Sequence, residues 1–143
     1  MLIKGTFHGL IIKKDGTTVS WNKDNMIVDS GWNFIINSMF QQNNRPFPLS
    51  YIALGNGQTA TTAQMTALEN EIIRVPATWE VNETGRSVAL TAQMTVQEPL
   101  QISEAGIFNA ETGGIMFDRV TFSPKGLDET DLAKTLFRIN FIG

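Results

Sequence analysis

Cysteine is absent from the 143 residues of this chain, and histidine occurs once. The first absence removes disulfides, thiolate metal sites and a thiol nucleophile, so cohesion has to come from packing or from partner subunits. The second leaves His8 as the only imidazole. It sits in a strand-like run with no acidic side chain nearer in sequence than Asp15, and no motif supplies a nucleophile for it to activate. His8 therefore reads as a structural or surface residue rather than a general base. Long apolar runs are missing as well. No stretch is long enough to span a bilayer, and the start, with Lys4, Gly5 and His8, lacks the apolar segment of a signal peptide. The chain is expected to be soluble and intracellular when made, without membrane insertion. Runs of basic residues are also lacking: 11 Lys and Arg are scattered among 14 Asp and Glu, for a formal charge of -3. Such a surface has no footprint for phosphate backbones, so no direct nucleic-acid partner is expected.

What is present fits one domain over 1–143, long enough to bury roughly 70% of the surface of its unfolded chain. The pattern is mostly that of strands. Residues 2–14 are rich in Ile, Phe and Thr, and Lys13-Lys14-Asp15-Gly16-Thr17 supplies the Asp-Gly pair of a tight turn before a second strand at 18–21. An N-terminal hairpin over 1–24 is predicted.

One helix is predicted over 29–41. Asp29 or Ser30 is placed to cap it, and Trp32, Ile35, Ile36, Met39 and Phe40 recur at i, i+3, i+4, i+7 and i+8, forming one apolar face. Asn33, Asn37, Ser38 and Gln41 lie opposite, with Phe34 the exception. The polar run before Pro46 ends the helix. Its apolar stripe is expected to lie on the open face of a sheet.

From residue 50 onward strand signals continue: 50–54; 72–81, where Pro76 marks a sheet edge or bulge; 87–96; 101–108; 115–122; and 134–142. Residues 87–96 alternate most cleanly, with Val88, Leu90, Ala92, Met94 and Val96 on one side. The polar connections 41–48, 57–66 and 123–131 are long enough to be functional loops. The predicted architecture is mainly β: an antiparallel, jelly-roll-like β-sandwich of about eight strands, occupying 50–143, with one amphipathic helix packed on it.

Constellations that carry chemistry are thin. Asp128, Glu129 and Asp131 lack the alternating spacing and central glycine of a calcium loop and read as a solvated loop. Gly55-Asn56-Gly57 lacks the Lys and Ser/Thr of a phosphate cradle and reads as a sharp turn after a strand. Glu104 and Glu111 fall in a strand and a turn, with nothing fixing the separation a glycosidase needs. Trp21, Trp32 and Trp79 could stack on sugar rings, although most aromatics fall on faces that read as core. No catalytic residue, cofactor or metal site is assigned, and an enzyme is not expected.

Arg74 and Glu104 are charged residues inside otherwise apolar strands, and Glu71 precedes Arg74 by three. Embedded charges are tolerated when paired, so Arg74 is expected to bridge to Glu71 or Glu104, fixing sheet register or a subunit contact.

Several stretches resemble tailed-bacteriophage structural proteins of the tail-fibre and tail-collar type. Asn25-Met26-Ile27-Val28-Asp29-Ser30-Gly31 resembles their "N-x-I-(V/T)-x-x-G" entry, and Tyr51-Ile52-Ala53-Leu54-Gly55-Asn56-Gly57 their "IALGxG" strand. Leu68, Glu71, Arg74 and Pro76 follow "LxxExxR-x-P". Ile102-Ser103-Glu104-Ala105-Gly106-Ile107-Phe108-Asn109 is similar to "ITEAGLFN", and Met116-Phe117-Asp118-Arg119-Val120-Thr121-Phe122 to "MLARTTF". The resemblance covers roughly 25–122, the greater part of the chain. It implies a non-enzymatic virion subunit of the tail, baseplate, neck or a short fibre, made in the host cytoplasm and residing in the virion. A head decoration protein is the alternative, and a carbohydrate-binding module for host glycans is the alternative of another class.

Glu71, Arg74, Glu104, Trp32, Phe40, Phe137 and Phe141 are expected to serve structure or assembly. The run Thr135-Leu136-Phe137-Arg138-Ile139-Asn140-Phe141-Ile142 carries one charge and no proline, and is apolar on both faces. Such a strand must be covered twice, at the centre of a sandwich or partly by another subunit. The expected partners are other virion proteins and the chain itself, and the resemblance implies a trimer.

Overall fold

The computed structural model describes residues 2–142. The expected domain span of 1–143 includes Met1 and Gly143, which lie outside the described residues. In chain order the elements are β1 (Leu2–Ile12), β2 (Thr18–Ile27), α1 (Asp29–Phe40), β3 (Tyr51–Gly55), β4 (Glu71–Pro76), β5 (Thr78–Asn82), β6 (Ser87–Thr95), β7 (Leu100–Phe108), β8 (Met116–Leu127) and β9 (Leu132–Ile142). The strands pair in the order β4-β3-β7-β8-β2-β1-β9-β6-β5, every pair antiparallel. The protein is thus mainly β, sandwich-like and nearly closed into a barrel, with one helix.

Closure follows from chain connectivity. β4 and β5 occupy the two ends of the strand order, yet only Ala77 separates them in the chain. The stretch expected as one strand over 72–81 is therefore a bent strand that leaves one sheet edge and enters the other. Pro76 sits at the corner, on an edge strand as its missing N–H requires. The opposite corner is β2, which pairs with β1 along most of its length but with β8 only at Met26 and Ile27.

The alternation read from the sequence explains the core. Ile3, Phe7 and Ile11 of β1, Leu90 and Met94 of β6, and Phe137 and Ile139 of β9 point inward against Ile52, Leu54, Ile102, Ala105, Ile107 and Val120 from the other half. Phe7 lies 4.8 Å from Phe137 and 5.5 Å from Phe122, centroid to centroid. Each such fully buried side chain contributes about 1.5–3 kcal/mol. A smaller cluster on the outer side joins Val28, Ala53, Leu68, Phe108 and Met116.

Several expectations are corrected. The hairpin reaches Ile27, and β1 and β2 lie in the middle of the strand order rather than forming an appendage. Its turn forms as read: Gly16 takes φ +89°, and the Asp15 carboxylate accepts from Thr17 N and Oγ1 at 2.9 and 2.6 Å. Most of the loop expected over 123–131 is strand, because β8 continues to Leu127. β9 is interior, paired along its length with β1 and β6, so the exposed edges are β4 and β5.

The helix packs with a different face from the one expected. Gly31 is its one fully buried residue, and a Cβ there would collide with the Phe117 carbonyl of β8. That close approach aims Phe34 and Ile35 at the core, with Phe34 edge-on to Phe117 at 6.2 Å. Trp32, Ile36, Met39 and Phe40 turn to solvent. Neither Asp29 nor Ser30 caps the helix: Val28 holds the cap position without a side-chain bond, and the Ser30 hydroxyl donates to the Met116 carbonyl at 2.6 Å.

Candidate functional site

Two features outside the main core stand out: a buried polar hub beneath the 56–70 loop, and an uncovered apolar face on α1. The hub is built from β7. Glu104 lies opposite Gly55 of β3 and Thr121 of β8, with its side chain wholly buried. One carboxylate oxygen accepts from Glu69 N at 2.8 Å and Arg119 Nε at 3.0 Å. The other accepts from Gly57 N at 2.7 Å and Asn70 N at 2.8 Å. A Cβ at Gly57 would stand 2.6 Å from that oxygen, so the turn after β3 needs glycine to bring its N–H so close. Ser103 adds a bond to Gly57 O at 2.9 Å.

Arg119 completes the tie. Its Nη1 donates to Thr59 O at 2.8 Å and Thr61 Oγ1 at 3.0 Å, and the side chain is wholly buried; Nη2 is buried without a partner. Both ends of the loop are thus anchored on one ion pair, and Leu68 packs over Gly106. At the exposed rim, the Glu69 carboxylate accepts from the Thr59 hydroxyl and from Gln58 N and Thr59 N at 2.9 and 3.2 Å. Bonds from Thr59 hold this carboxyl below its ordinary pKa.

Asp118, next to Arg119, points the other way, into the seam between β2 and β8. It accepts from Ile107 N at 3.1 Å and from the Asn25 side-chain amide. Complete burial raises its pKa well above the ordinary value, against the lowering effect of those two donors.

The Arg74 clamp forms with Glu71, the nearer of the two expected partners, in a two-pronged bridge of 2.9 and 2.6 Å. Its Nη1 also donates to Ala110 O and Gly113 O at 2.9 and 2.8 Å, and the guanidinium lies 3.8 Å from the Phe108 ring centroid. It therefore pins the β7–β8 turn to edge strand β4. Glu104 pairs with Arg119 instead.

The apolar face is formed by Trp32, Ile36, Met39 and Phe40 of α1, 42%, 54%, 61% and 73% exposed, and Phe47, beyond the end of the helix, is 78% exposed. On the opposite flank of α1 opens a cleft of about 350 Å³, lined by Phe34, Ser38, Arg45, Trp79, Leu90 and Ile139 among others. Side chains this large are ordinarily buried, and contiguous exposure marks a contact surface.

Of the residues expected to serve assembly, Trp32 and Phe40 lie on this face, while Phe141 is partly exposed near the end of β9. Phe137 is a core residue, because β9 turns it inward against Phe7. Glu71 and Arg74 are joined and Glu104 is inside the hub, so these three hold the fold of the chain itself. Arg119 and Asp118 were missed as individual residues. The signal was available, since two adjacent charges in Met116-Phe117-Asp118-Arg119-Val120 are as anomalous as Glu104 in its strand.

The remaining candidates disperse. Asp131 is buried and tied to Asp128 N at 2.8 Å and to Lys13 Nζ and Lys14 N at 3.1 Å. These bonds, the Asp128 N–H first, hold its pKa below the ordinary value. Asp128 and Glu129 are exposed, and among the described residues no group of three or more acidic or imidazole side chains is placed to hold a metal ion. His8 is exposed on the outer face of β1, and Glu111 lies in the exposed turn after β7. Among the described residues no helix is long and apolar enough to cross a membrane. No family model matches the chain, and no curated protein matches it.

Proposed function

We propose that the protein is a non-enzymatic structural subunit of a tailed-bacteriophage particle, a tail, baseplate, neck or short-fibre component that works by docking to its neighbours. The observation that carries this reading is the apolar face of α1, on which Trp32, Ile36, Met39 and Phe40 stand 42–73% exposed. A second observation supports it. The stretches behind the phage resemblance meet in space: Gly57 and Asn70 bond to Glu104, Arg119 bonds to Glu104, and Gly31 abuts Phe117. A motif set whose members make one another's contacts describes a fold, which is what a structural family shares.

The capsid-decoration alternative uses the same face and differs only in where the particle holds it. The glycan-binding alternative draws on Trp79, half exposed at the cleft rim, where Ser38 and Arg45 are the polar partners among mostly apolar lining residues. The deciding experiment is antibody labelling of purified particles, imaged by electron microscopy, with quantification of the chain by mass spectrometry. A fixed copy number at one location supports the proposal, and absence from purified particles rejects it.

A further inference from the structure

We infer that the free edge of β5 takes up an extended segment of another virion protein as an added strand, whose alternate side chains reach the mouth of the cleft beside α1. The inference rests on reading the chain as a docking subunit and adds where, and in what conformation, a neighbour docks.

The first observation is that the two ends of the strand order differ. β4 is guarded: Pro76 lacks a donor at its end, and the Arg74 bridge to Glu71 holds the β7–β8 turn against it. β5 has no proline, one charge at Glu80, and all five residues exposed. Its backbone pairs with β6 on one side, and among the described residues no backbone group meets it on the other. Water meets such a row of N–H and C=O groups singly; only another extended backbone meets it in register.

The second is the pattern of side chains along the edge. Trp79 and Val81, each 51% exposed, lie on the face of the β5–β6 ladder that carries their partners Leu90 and Val88. Those partners line the cleft with Phe34, Leu49 and Ile139, so a strand added beside β5 sets every second side chain at the cleft mouth. At about 30 Å³ per water-sized group, 350 Å³ holds on the order of a dozen non-hydrogen atoms, enough for one phenylalanine and one valine side chain.

The third is charge. Among the described residues lining the cleft Arg45 alone is charged, and its Nε is fixed on Gln41 O at 2.6 Å. The cleft face thus accepts apolar side chains and repels basic ones. Glu80 stands on the opposite face of β5, where a basic residue of the added strand lies across from it. The occupant is therefore apolar, basic and apolar at three successive positions. A second copy fits less well, because β5 paired with itself about its centre sets Glu80 against Glu80.

The probe is a synthetic peptide blocked at both ends, Thr-Thr-Val-Lys-Phe-Thr-Thr, titrated into the isotope-labelled chain and followed by amide NMR. Saturable shifts centred on 78–82 are expected, with a dissociation constant below about 1 mM. Of two peptides N-methylated on alternate residues, one should bind as before and the other about tenfold or more weakly, because only every second N–H of an added strand faces β5. Glu80→Lys should weaken the lysine peptide about threefold or more and favour its glutamate counterpart. Trp79→Ala should weaken both about tenfold, and both variants should keep the parent far-UV circular dichroism. Absence of shifts at 78–82, N-methylated peptides that both bind or both fail, or self-association of the chain through β5 without peptide would each overturn the inference, the last by giving the edge to a second copy. Particle labelling is independent: peptide uptake by a chain absent from virions keeps the strand-adding edge and removes the virion reading, and a virion chain that takes up no peptide does the reverse.

Discussion

The 56–70 loop and helix α1 both lie against the sheet, and they are held there in opposite ways. The loop has no regular backbone bonding of its own, so its N–H groups are met from outside by the Glu104 carboxylate and its carbonyl at Thr59 by Arg119. The helix satisfies most of its own backbone, with Asp29 N met by Ala63 O, and meets the sheet at Gly31, Phe34, Ile35 and the Ser30 hydroxyl. The irregular segment is therefore wired into the interior, while the regular one keeps most of its large side chains free. Irregular backbone must be completed by its surroundings, whereas a helix can devote a face to something else.

The comparison breaks most visibly at Glu104. Glu104→Gln leaves the Arg119 guanidinium buried without its counter-charge and should cost about 3–5 kcal/mol in denaturant unfolding. Proteolytic cutting should appear within 56–70. Adding Arg119→Met should not restore stability, because Gly57, Glu69 and Asn70 still need their acceptor; full recovery would show that the loop is held by packing alone.

Arg74→Ala should cost less, about 1–3 kcal/mol, chiefly through the orphaned carbonyls of Ala110 and Gly113 and the lost stacking on Phe108. Glu71→Gln should cost under about 1 kcal/mol, since that carboxylate is partly exposed. Equal losses for the two changes would mean that the ion pair, rather than the turn it reaches, is what matters.

Asp118→Asn has the opposite sign. A carboxyl whose pKa is raised by folding makes its favourable contribution below the unfolded value, near 3.8, and loses it as pH rises through the folded value. The neutral amide escapes that loss, accepts from Ile107 N and can donate to Asn25 Oδ1, which is buried without a partner. The variant should therefore be more stable than the parent at neutral pH, with the difference shrinking toward about pH 4. A difference constant across that range would show that burial does not hold the proton on Asp118.

The smallest effect is expected on the helix. Met39→Gln or Ile36→Asn, measured where the chain is monomeric, should shift stability by no more than about 0.5 kcal/mol. A loss of several kcal/mol would show that the α1 face is part of the fold and not free for a neighbour.

Much of the strand framework was legible, and the reason is local. Period-two alternation in β6, the Asp15-Gly16 turn and the Pro46 stop each depend on residues a few positions apart. The bend at Pro76 was legible as an edge or bulge. That it carries the chain between opposite sheet edges was not, because closure is a property of all nine strands. The inward face of α1 was misread for a similar reason: hydropathy favours Trp32, Ile36, Met39 and Phe40, but the decision lies with Gly31, where backbone meets backbone. Glu104 was recognised as needing a partner. Its actual partner was misassigned because Glu71 and Arg74 satisfy each other locally, while Arg119 arrives through the β7–β8 pairing.

The strand order also sets a timetable for folding. Glu104 and Arg119 are 15 residues apart and are brought together by one hairpin, as are the partners within β1–β2 and β5–β6. The β1–β9 ladder instead joins Leu2 to Ile142 and must wait until nearly the whole chain is gathered. Topologies dominated by such distant pairings fold on the order of milliseconds to seconds, with the loop-closure entropy spent before the pairing rewards it. The ion pair can thus be assembled early, as a mould on which the 56–70 loop later sets. The β1–β9 ladder is the last seam to close and, by the same entropy, the step whose loss should release the rest.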